Sequence, residues 1–561
     1  MGCGIEPRNQ KEIAEAETVG NVEGSMEAIV SARCPCSAGV KGHITDEGIS
    51  LEPRKPRRGL RLVTEGGVRQ GTTGVWHRAE GGVADRGVVL MMPPKENSTR
   101  RAEGRPRPEG SPGRKAEVRT QGRAALPANL ARVNEAARRG RQTQFTALLH
   151  HIDVEALRRS FHRQRKKASA GVDGVTAKDY EVNLEENLKD LCDRVHSGRY
   201  RPQPVRRTYI PKADGGQRPL GMPTLEDKIV QSAVAEMLSA IYEVDFLGFS
   251  YGFRPGRNPH QALNALRTAI MSRYVNWVLD ADIRRFFDSV NHEWLLRMAA
   301  HRIADPRVLR LIRQWLRAGV LESGEWRESV EGTPQGLGVS PLLANVFLHY
   351  SLDLWIQQWR RTRAKGSVIF VRYCDDFVIG FQYEEDARRL WADLSTRLSK
   401  FGLRLHEDKT RLLEFGKFAQ ERRSKRGLPR PETFNFLGFT HYCGESRDGR
   451  FQVKRKTQRH RMIRKLRQLR LECRRRMHAP LKDQHKWLTS VLRGHYAYYG
   501  LPSNSRSLSR FLWEVGKIWF RALRRRSQRR SLTWDRFHDL LRTFPLPHPR
   551  ITHPWHTGST A

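Results

Sequence analysis

The chain has 561 residues, room for about three or four domains of ~150 residues and too many for one small module. Its 101 Lys and Arg against 60 Asp and Glu leave a net charge of +41 and a pI near 10.7, far beyond what solubility needs, so a polyanion is the expected partner, nucleic acid first of all. No run of 18 apolar residues and no basic-then-apolar leader occurs, which argues against a membrane partner or a secretory signal and for the cytoplasm. Seven cysteines (Cys3, Cys34, Cys36, Cys192, Cys374, Cys443 and Cys473) are odd in number and contain no C-x-x-C, so free thiols are expected rather than a disulfide framework or a zinc site.

Residues 1–125 hold 19 of the 46 glycines and a single aromatic, Trp76, so they cannot bury a core and are expected to be a disordered, low-complexity extension. Two readings fit this stretch: a flexible nucleic-acid-binding arm, or a reading frame extended upstream of a working start at Met91 or Met92. From 126 to 200 helical patterning takes over, for example Leu148, Ile152, Leu157 and Phe161. Short β-branched and aromatic runs at Val205–Pro211, Val275–Ile283 and Val368–Phe381 predict strands. Helices are expected around them at 225–241, 292–316, 340–360 and 385–401, which makes 201–442 an α+β region. Between 451 and 530 there are 24 Lys or Arg and 3 acids, about half of the whole excess charge. Met462, Leu466, Leu469 and Cys473 recur at helical spacing there, so 443–530 reads as a basic helical domain and 531–561 as a tail.

The sharpest local signal is Tyr373-Cys374-Asp375-Asp376 between two apolar strand-type segments, where a hairpin turn would push two carboxylates out together. Adjacent carboxylates are costly to bury unless a cation neutralises them. A second strand, Trp277-Val278-Leu279-Asp280-Ala281-Asp282, runs into an acid followed by Phe286 and Phe287. Asp282, Asp375 and Asp376 converging from two strand ends would suit two divalent cations ~3.5–4 Å apart, the requirement of two-metal phosphoryl transfer.

These blocks resemble the reverse transcriptases, and most closely the group II intron-encoded reverse transcriptase and maturase. Tyr373-Cys374-Asp375-Asp376 is similar to their Y-x-D-D, and Asp282-Ile283-Arg284-Arg285-Phe286-Phe287-Asp288 to their first catalytic block. Tyr209 to Gly221, Gly332-Thr333-Pro334-Gln335-Gly336 through Asn345, Gly402 to Thr410 and Phe436-Leu437-Gly438-Phe439 complete the series in order. The implied architecture is a right-hand polymerase-like fingers and palm followed by an α-helical thumb, or maturase, domain. The implied activity is RNA-directed DNA synthesis with two Mg²⁺ held by Asp282, Asp375 and Asp376. By the same resemblance Lys212 and Arg218 would contact the incoming nucleotide. Read from the residues themselves, Gln335 sits at a Pro-Gly bend where it would meet a nucleotide or serve as a helix N-terminal polar residue, Phe286 or Phe287 would exclude a ribose 2′-hydroxyl while the other is core, and Lys409 is a candidate general acid for pyrophosphate or a surface Lys beside Asp408.

The implied partners are the parent intron RNA, an RNA template with a DNA or RNA primer, deoxynucleoside triphosphates and target DNA, with a homodimer as one option. Cys374 stands where such enzymes commonly carry Ala, and Leu337-Gly338 replaces Gly followed by an apolar residue. The tail has His538, His548, His553 and His556 but no cysteine, so the HNH endonuclease of some relatives is not expected. Two rival readings are a non-enzymatic RNA-binding splicing factor on a polymerase scaffold, and a retron-type or defence reverse transcriptase.

Overall fold

The computed structural model describes residues 126–166, 168–211, 216–322, 325–327, 332, 336–526 and 532–554; the segment expected to be disordered lies outside them. The chain enters through four helices, α1 (Ala128–Arg139), α2 (Val154–Arg163), α3 (Ala177–Glu181) and α4 (Leu184–His196), as the helical patterning predicts. Strands β1 (Val205–Pro211) and β2 (Gln217–Met222) form an antiparallel pair, and Thr224 caps α5 (Leu225–Asp245) by accepting from the Asp227 amide. After α6 (Pro259–Ser272) comes β3 (Trp277–Asp282).

The helix expected over 292–316 is two, α7 (His292–Ala300) and α8 (Pro306–Arg317). Pro306 cannot continue a helix, and Asp305 caps the new one through the Arg307 amide. Short strands β4 (Val320–Glu322) and β5 (Glu325–Arg327) add to β1, giving a sheet in the order β2-β1-β4-β5. Then α9 (Ser340–Leu348) passes through a π-helical turn, His349–Asp353, into α10 (Leu354–Thr362).

The run Val368–Phe381 is a hairpin, β6 (Val368–Tyr373) and β7 (Asp376–Phe381), followed by α11 (Glu384–Ser399), β8 (Arg411–Glu414) and α12 (Ala419–Lys425). The central sheet is ordered β6-β7-β3-β8, all neighbours antiparallel. Both faces are buried. Leu279, Ala281, Phe377 and Ile379 point into the large helical core, while Val278, Val371, Val378 and Leu413 join a second core with α6.

Three further strands, β9 (Phe434–Phe436), β10 (Phe439–Glu445) and β11 (Phe451–Thr457), close that second core. The border placed at 442/443 therefore falls inside β10, and strand structure continues to Thr457. The error has a physical source. Val453, Arg455 and Thr457 alternate inward on β11, but Lys454 and Lys456 between them give the stretch the composition of the basic helices that follow.

Helices α13 (Arg459–Arg475), α14 (Leu481–Tyr499), α15 (Ser505–Arg524) and α16 (Trp534–Thr543) share a third core around Leu488, Phe511 and Trp519. The supposed tail is packed. Phe537 of α16 is buried there, Tyr496 Oη donates to the Pro547 carbonyl at 3.0 Å, and the His553 ring stacks on His260 of α6 at 3.5 Å. Trp519 also donates from Nε1 to Gln484 Oε1 at 3.0 Å. Trp519→Ala is expected to cost about 3–5 kcal/mol, from lost burial, a cavity and an unsatisfied amide, read as an early melting step in calorimetry. No helix among the described residues is long and apolar enough to cross a membrane.

Candidate active site

The side-chain period of two decides which face of the central sheet carries the acids. On β3, Asp280 and Asp282 share a face with Val278; on β7, Asp376 shares one with Val378. All three therefore lie on the side of the sheet toward α6 and β9–β11. Asp282 pairs directly with Asp376 in the β3–β7 register, and Tyr373 pairs with Asp376 across the hairpin, so Cys374 and Asp375 form the turn. Cys374 sits in the left-handed region at φ 60°, a conformation that costs a non-glycine residue about 1–2 kcal/mol. Asp282 and Asp376 are thus direct neighbours across the sheet, with Asp375 in the adjoining turn.

Lys409 arrives by a separate route. The backbone beyond β3 bonds to the segment before β8, Arg284 N donating to the Arg404 carbonyl at 2.9 Å and His406 N to the Asp282 carbonyl at 2.8 Å. That pairing carries Lys409 Nζ to 3.1 Å from Asp282 Oδ2.

The acids strain one another. Asp376 is pushed up to about 8, first by loss of water and then by Asp280, Asp375 and Asp282, while a hydrogen bond from the Leu437 amide pulls the other way. Asp280 is raised to about 6 by burial, opposed by Arg411, whose Nη2 lies 3.5 Å from Asp280 Oδ2. Sequence reading missed Asp280 as a member of this cluster. Its position two residues before Asp282, on one strand face, is a signal that could have found it.

The structure separates the two members of the aromatic pair. Phe286 is 2% exposed, edge-on to Phe287 and packed near Phe347, so it belongs to the core. Phe287 is the half-buried member, and its carbonyl lies against Gly332. The left-handed Arg285, φ 48°, followed by a single 3₁₀ turn sets which ring turns inward, and residue spacing alone does not encode that.

Among the expected nucleotide contacts, Lys212, Gln335 and the side chain of Arg218 lie outside the described residues. The backbone of Arg218 pairs with Ile210 in the β1–β2 hairpin. On either side of Gln335, Gly332 packs against Phe287 and Asp288, and Gly336 packs so tightly on β2 that a Cβ there would lie 2.1 Å from the Gly221 carbonyl oxygen.

A groove of about 390 Å³ between α13 and α14 is lined by Arg461, Arg464, Lys465, Gln468, Tyr498 and Tyr499 among others. Tyr498 Oη donates to the Leu437 carbonyl at 2.8 Å, the same residue whose amide reaches Asp376. Tyr496, by contrast, is buried in the helical core. Among the described residues no three His, Cys, Asp or Glu side chains close on one point tightly enough to hold a metal ion unaided. The donor set is all carboxylate oxygen, which suits a hard cation that takes its remaining oxygens from water and a substrate's phosphates.

Comparison with known proteins agrees with this geometry. Residues 210–441 match the family model for reverse transcriptase (RNA-dependent DNA polymerase). Protein YkfC of Escherichia coli (strain K12) is 37% identical over 237 residues, 37% of this chain and 62% of that protein. Group II intron-encoded protein LtrA of Lactococcus lactis subsp. cremoris is 41% identical over 175 residues, 31% of this chain and 29% of LtrA. Nuclear intron maturase 1, mitochondrial, of Arabidopsis thaliana is 30% identical over 95 residues, 17% of this chain and 13% of that protein. The matched stretches thus span less than two thirds of the length of these relatives.

Proposed function

We propose, for a chain whose residues 210–441 match the reverse transcriptase family model, that it extends a DNA or RNA primer on an RNA template from deoxynucleoside triphosphates, and that it binds a group II intron RNA to assist splicing and mobility. The observation that carries the first half is the direct pairing of Asp282 with Asp376 beside the Asp375 turn, with Lys409 3.1 Å from Asp282. RNA binding alone has no use for clustered acids next to a polyanion.

Asp282, Asp375 and Asp376 would hold two Mg²⁺, which, when bound, activate the primer 3′-hydroxyl and steady the leaving pyrophosphate. The protein's own contribution is to keep these carboxylates together against their repulsion and to aim them at one face. Asp280 lies behind them, paired with Arg411, and adds negative potential there. Lys409, in contact with Asp282, is assigned the proton that would be released toward pyrophosphate. Lys212, Arg218 and Gln335 are assigned to the incoming nucleotide on the match of their blocks.

Of the two candidates, Phe287 is assigned the gating role, as the partly exposed ring of the pair. Phe287→Val is expected to raise ribonucleotide incorporation about tenfold or more, by relieving a steric clash worth ~1–3 kcal/mol, with deoxynucleotide incorporation less affected. Single-nucleotide insertion assays with matched ribo- and deoxynucleotides would show it.

The basic helices α13–α15 are the proposed thumb and intron-RNA surface. Their Arg and Lys would neutralise phosphate, and Tyr498, a wall of the groove between α13 and α14, bonds Leu437, whose amide reaches Asp376. The testing experiment is primer extension by the full chain on an RNA template with Mg²⁺, with binding of a group II intron RNA measured in parallel. Extension abolished by chelator is expected; a chain that binds RNA and extends nothing with Mg²⁺ or Mn²⁺ overturns the polymerase reading.

A further inference from the structure

Beneath the acid-bearing turn lies a buried charge network that the reading above does not use. Arg372, the penultimate residue of β6, is fully enclosed, and each of its five guanidinium N–H groups has an acceptor. Nε donates to Asp353 Oδ1 at 2.7 Å and Nη2 to Asp353 Oδ2, a two-pronged pair with a carboxylate that is itself fully enclosed. Nη2 also donates to Ser250 Oγ at 2.8 Å, and Nη1 to Asn345 Oδ1 at 2.9 Å. The remaining donor of Nη1 reaches the Cys374 carbonyl at 2.9 Å. That last bond fixes the peptide plane joining Cys374 to Asp375, at a turn whose first residue is already held in a left-handed conformation.

The acceptors come from three separate places. Asp353 is delivered by the π-helical turn between α9 and α10, Asn345 by α9, and Ser250 by the loop before α6. That loop grips the same strand through its backbone: Arg372 N donates to the Phe249 carbonyl and Tyr251 N to the Arg372 carbonyl, both at 2.9 Å. Asn345 Nδ2 donates to the Gly252 carbonyl at 2.7 Å, and a Cβ on Gly252 would lie 2.3 Å from the Cys374 amide nitrogen. The turn therefore has backbone pressed against it and a guanidinium holding its carbonyl.

We propose that Arg372, anchored by Asp353, Asn345 and Ser250, is a positioning residue that presets the orientation of the Cys374–Asp375 peptide, and with it the direction in which Asp375 and Asp376 present their carboxylates to divalent cations. This rests on the polymerase reading of the site. Lysine would keep the positive charge and lose the planar fork, so it could not hold Asp353 and the Cys374 carbonyl together.

The test compares the full-length wild type with Arg372→Lys, Ser250→Ala and Arg254→Lys. Arg254 serves as the control because it ties the same loop, through the Leu247 and Ser250 carbonyls, but does not touch Cys374. Two readouts are taken: steady-state primer extension with kcat and nucleotide KM separated, and Mn²⁺ binding to the enzyme–primer–template–nucleotide complex, using a non-extendable primer, by electron paramagnetic resonance.

Arg372→Lys is expected to lower kcat by about 30-fold or more with nucleotide KM within about twofold, and to raise the Mn²⁺ binding midpoint at least about fivefold. Ser250→Ala should move both in the same direction by a smaller factor. Arg254→Lys should lower thermal stability without moving the Mn²⁺ midpoint. If Arg372→Lys does not fold, Ser250→Ala decides: an unmoved midpoint overturns the proposal, and so does an Arg254→Lys midpoint that moves as far. A wild type that binds Mn²⁺ but extends nothing sinks the polymerase reading instead, and leaves the midpoint comparison to judge the positioning role.

Discussion

Asp375→Asn is expected to abolish primer extension, by about 10³-fold or more, while changing intron-RNA affinity less than about twofold. The two activities draw on different residues. Asp375 sits in the two-residue turn between β6 and β7, next to the paired Asp282 and Asp376, whereas the proposed phosphate contacts are the Arg and Lys of α13 to α15. Asparagine keeps the shape and removes the charge, so divalent cations lose one anionic oxygen donor and several kcal/mol of charge stabilisation with it, and ~4 kcal/mol already corresponds to a thousandfold in rate. RNA affinity should still fall steeply with salt in both proteins, because that dependence counts neutralised phosphates. Extension assays run beside filter binding at two salt concentrations make the comparison. Equal extension by the variant would remove Asp375 from the chemistry, and a parallel loss of RNA binding would show that the turn organises the basic surface as well.

Asp376→Asn is expected to stabilise the protein in the absence of divalent metal, and more so as pH rises. An unfolded Asp titrates near 3.9, whereas in the fold burial and the three neighbouring acids push Asp376 up to about 8. Between those values the native state keeps a proton that the unfolded chain has released, so wild-type stability falls as pH climbs from ~4 through about 8. A shift of four units corresponds to ~5 kcal/mol at most; with Asp280 sharing the strain, a gain on the order of 2–4 kcal/mol at pH 8.5 is expected, shrinking toward zero at pH 4. Melting curves in chelator at the two pH values test this directly. A variant no more stable than wild type at pH 8.5 would mean that the acids are not held against their repulsion. The wild type keeps this destabilised residue at the site proposed for its chemistry, a common location for strain.

The three central aspartates were legible because each is announced locally, by an apolar strand running into an acid and by adjacent acids between two strand-like runs. Sheet order then needed only the pairing of those strands. What escaped has a different character in each case. Whether Phe286 or Phe287 faces inward depends on the backbone of Arg285, a left-handed residue that no spacing rule foretells. The end of the sheet region at Thr457 was hidden because Lys454 and Lys456 lend β11 the charge of a helix. Arg372 resembled one more cation in a basic chain, since its four side-chain and backbone acceptors lie far away in sequence or across a turn. The docking of residues 545–554 was missed because it rests on single hydrogen bonds and one stacked ring rather than on an apolar period.

The position of β3 in the sheet also governs when this protein can first work. Asp282 is made long before its neighbours: Lys409 follows 127 residues later, and the Ser250–Arg372 bond spans 122. At ~5–20 residues per second, a ribosome needs roughly 6–25 s to supply what the first aspartate is waiting for. β7 emerges first and covers one edge of β3, while the other edge waits for β8, which follows Lys409 in the chain; pairings this distant in sequence are the class that forms slowly. A nascent chain therefore exposes one edge of β3 until β8 has emerged and gains the Lys409–Asp282 pair only after its acids are already made, so growth temperature and translation speed should influence the yield of active protein more than its final stability does.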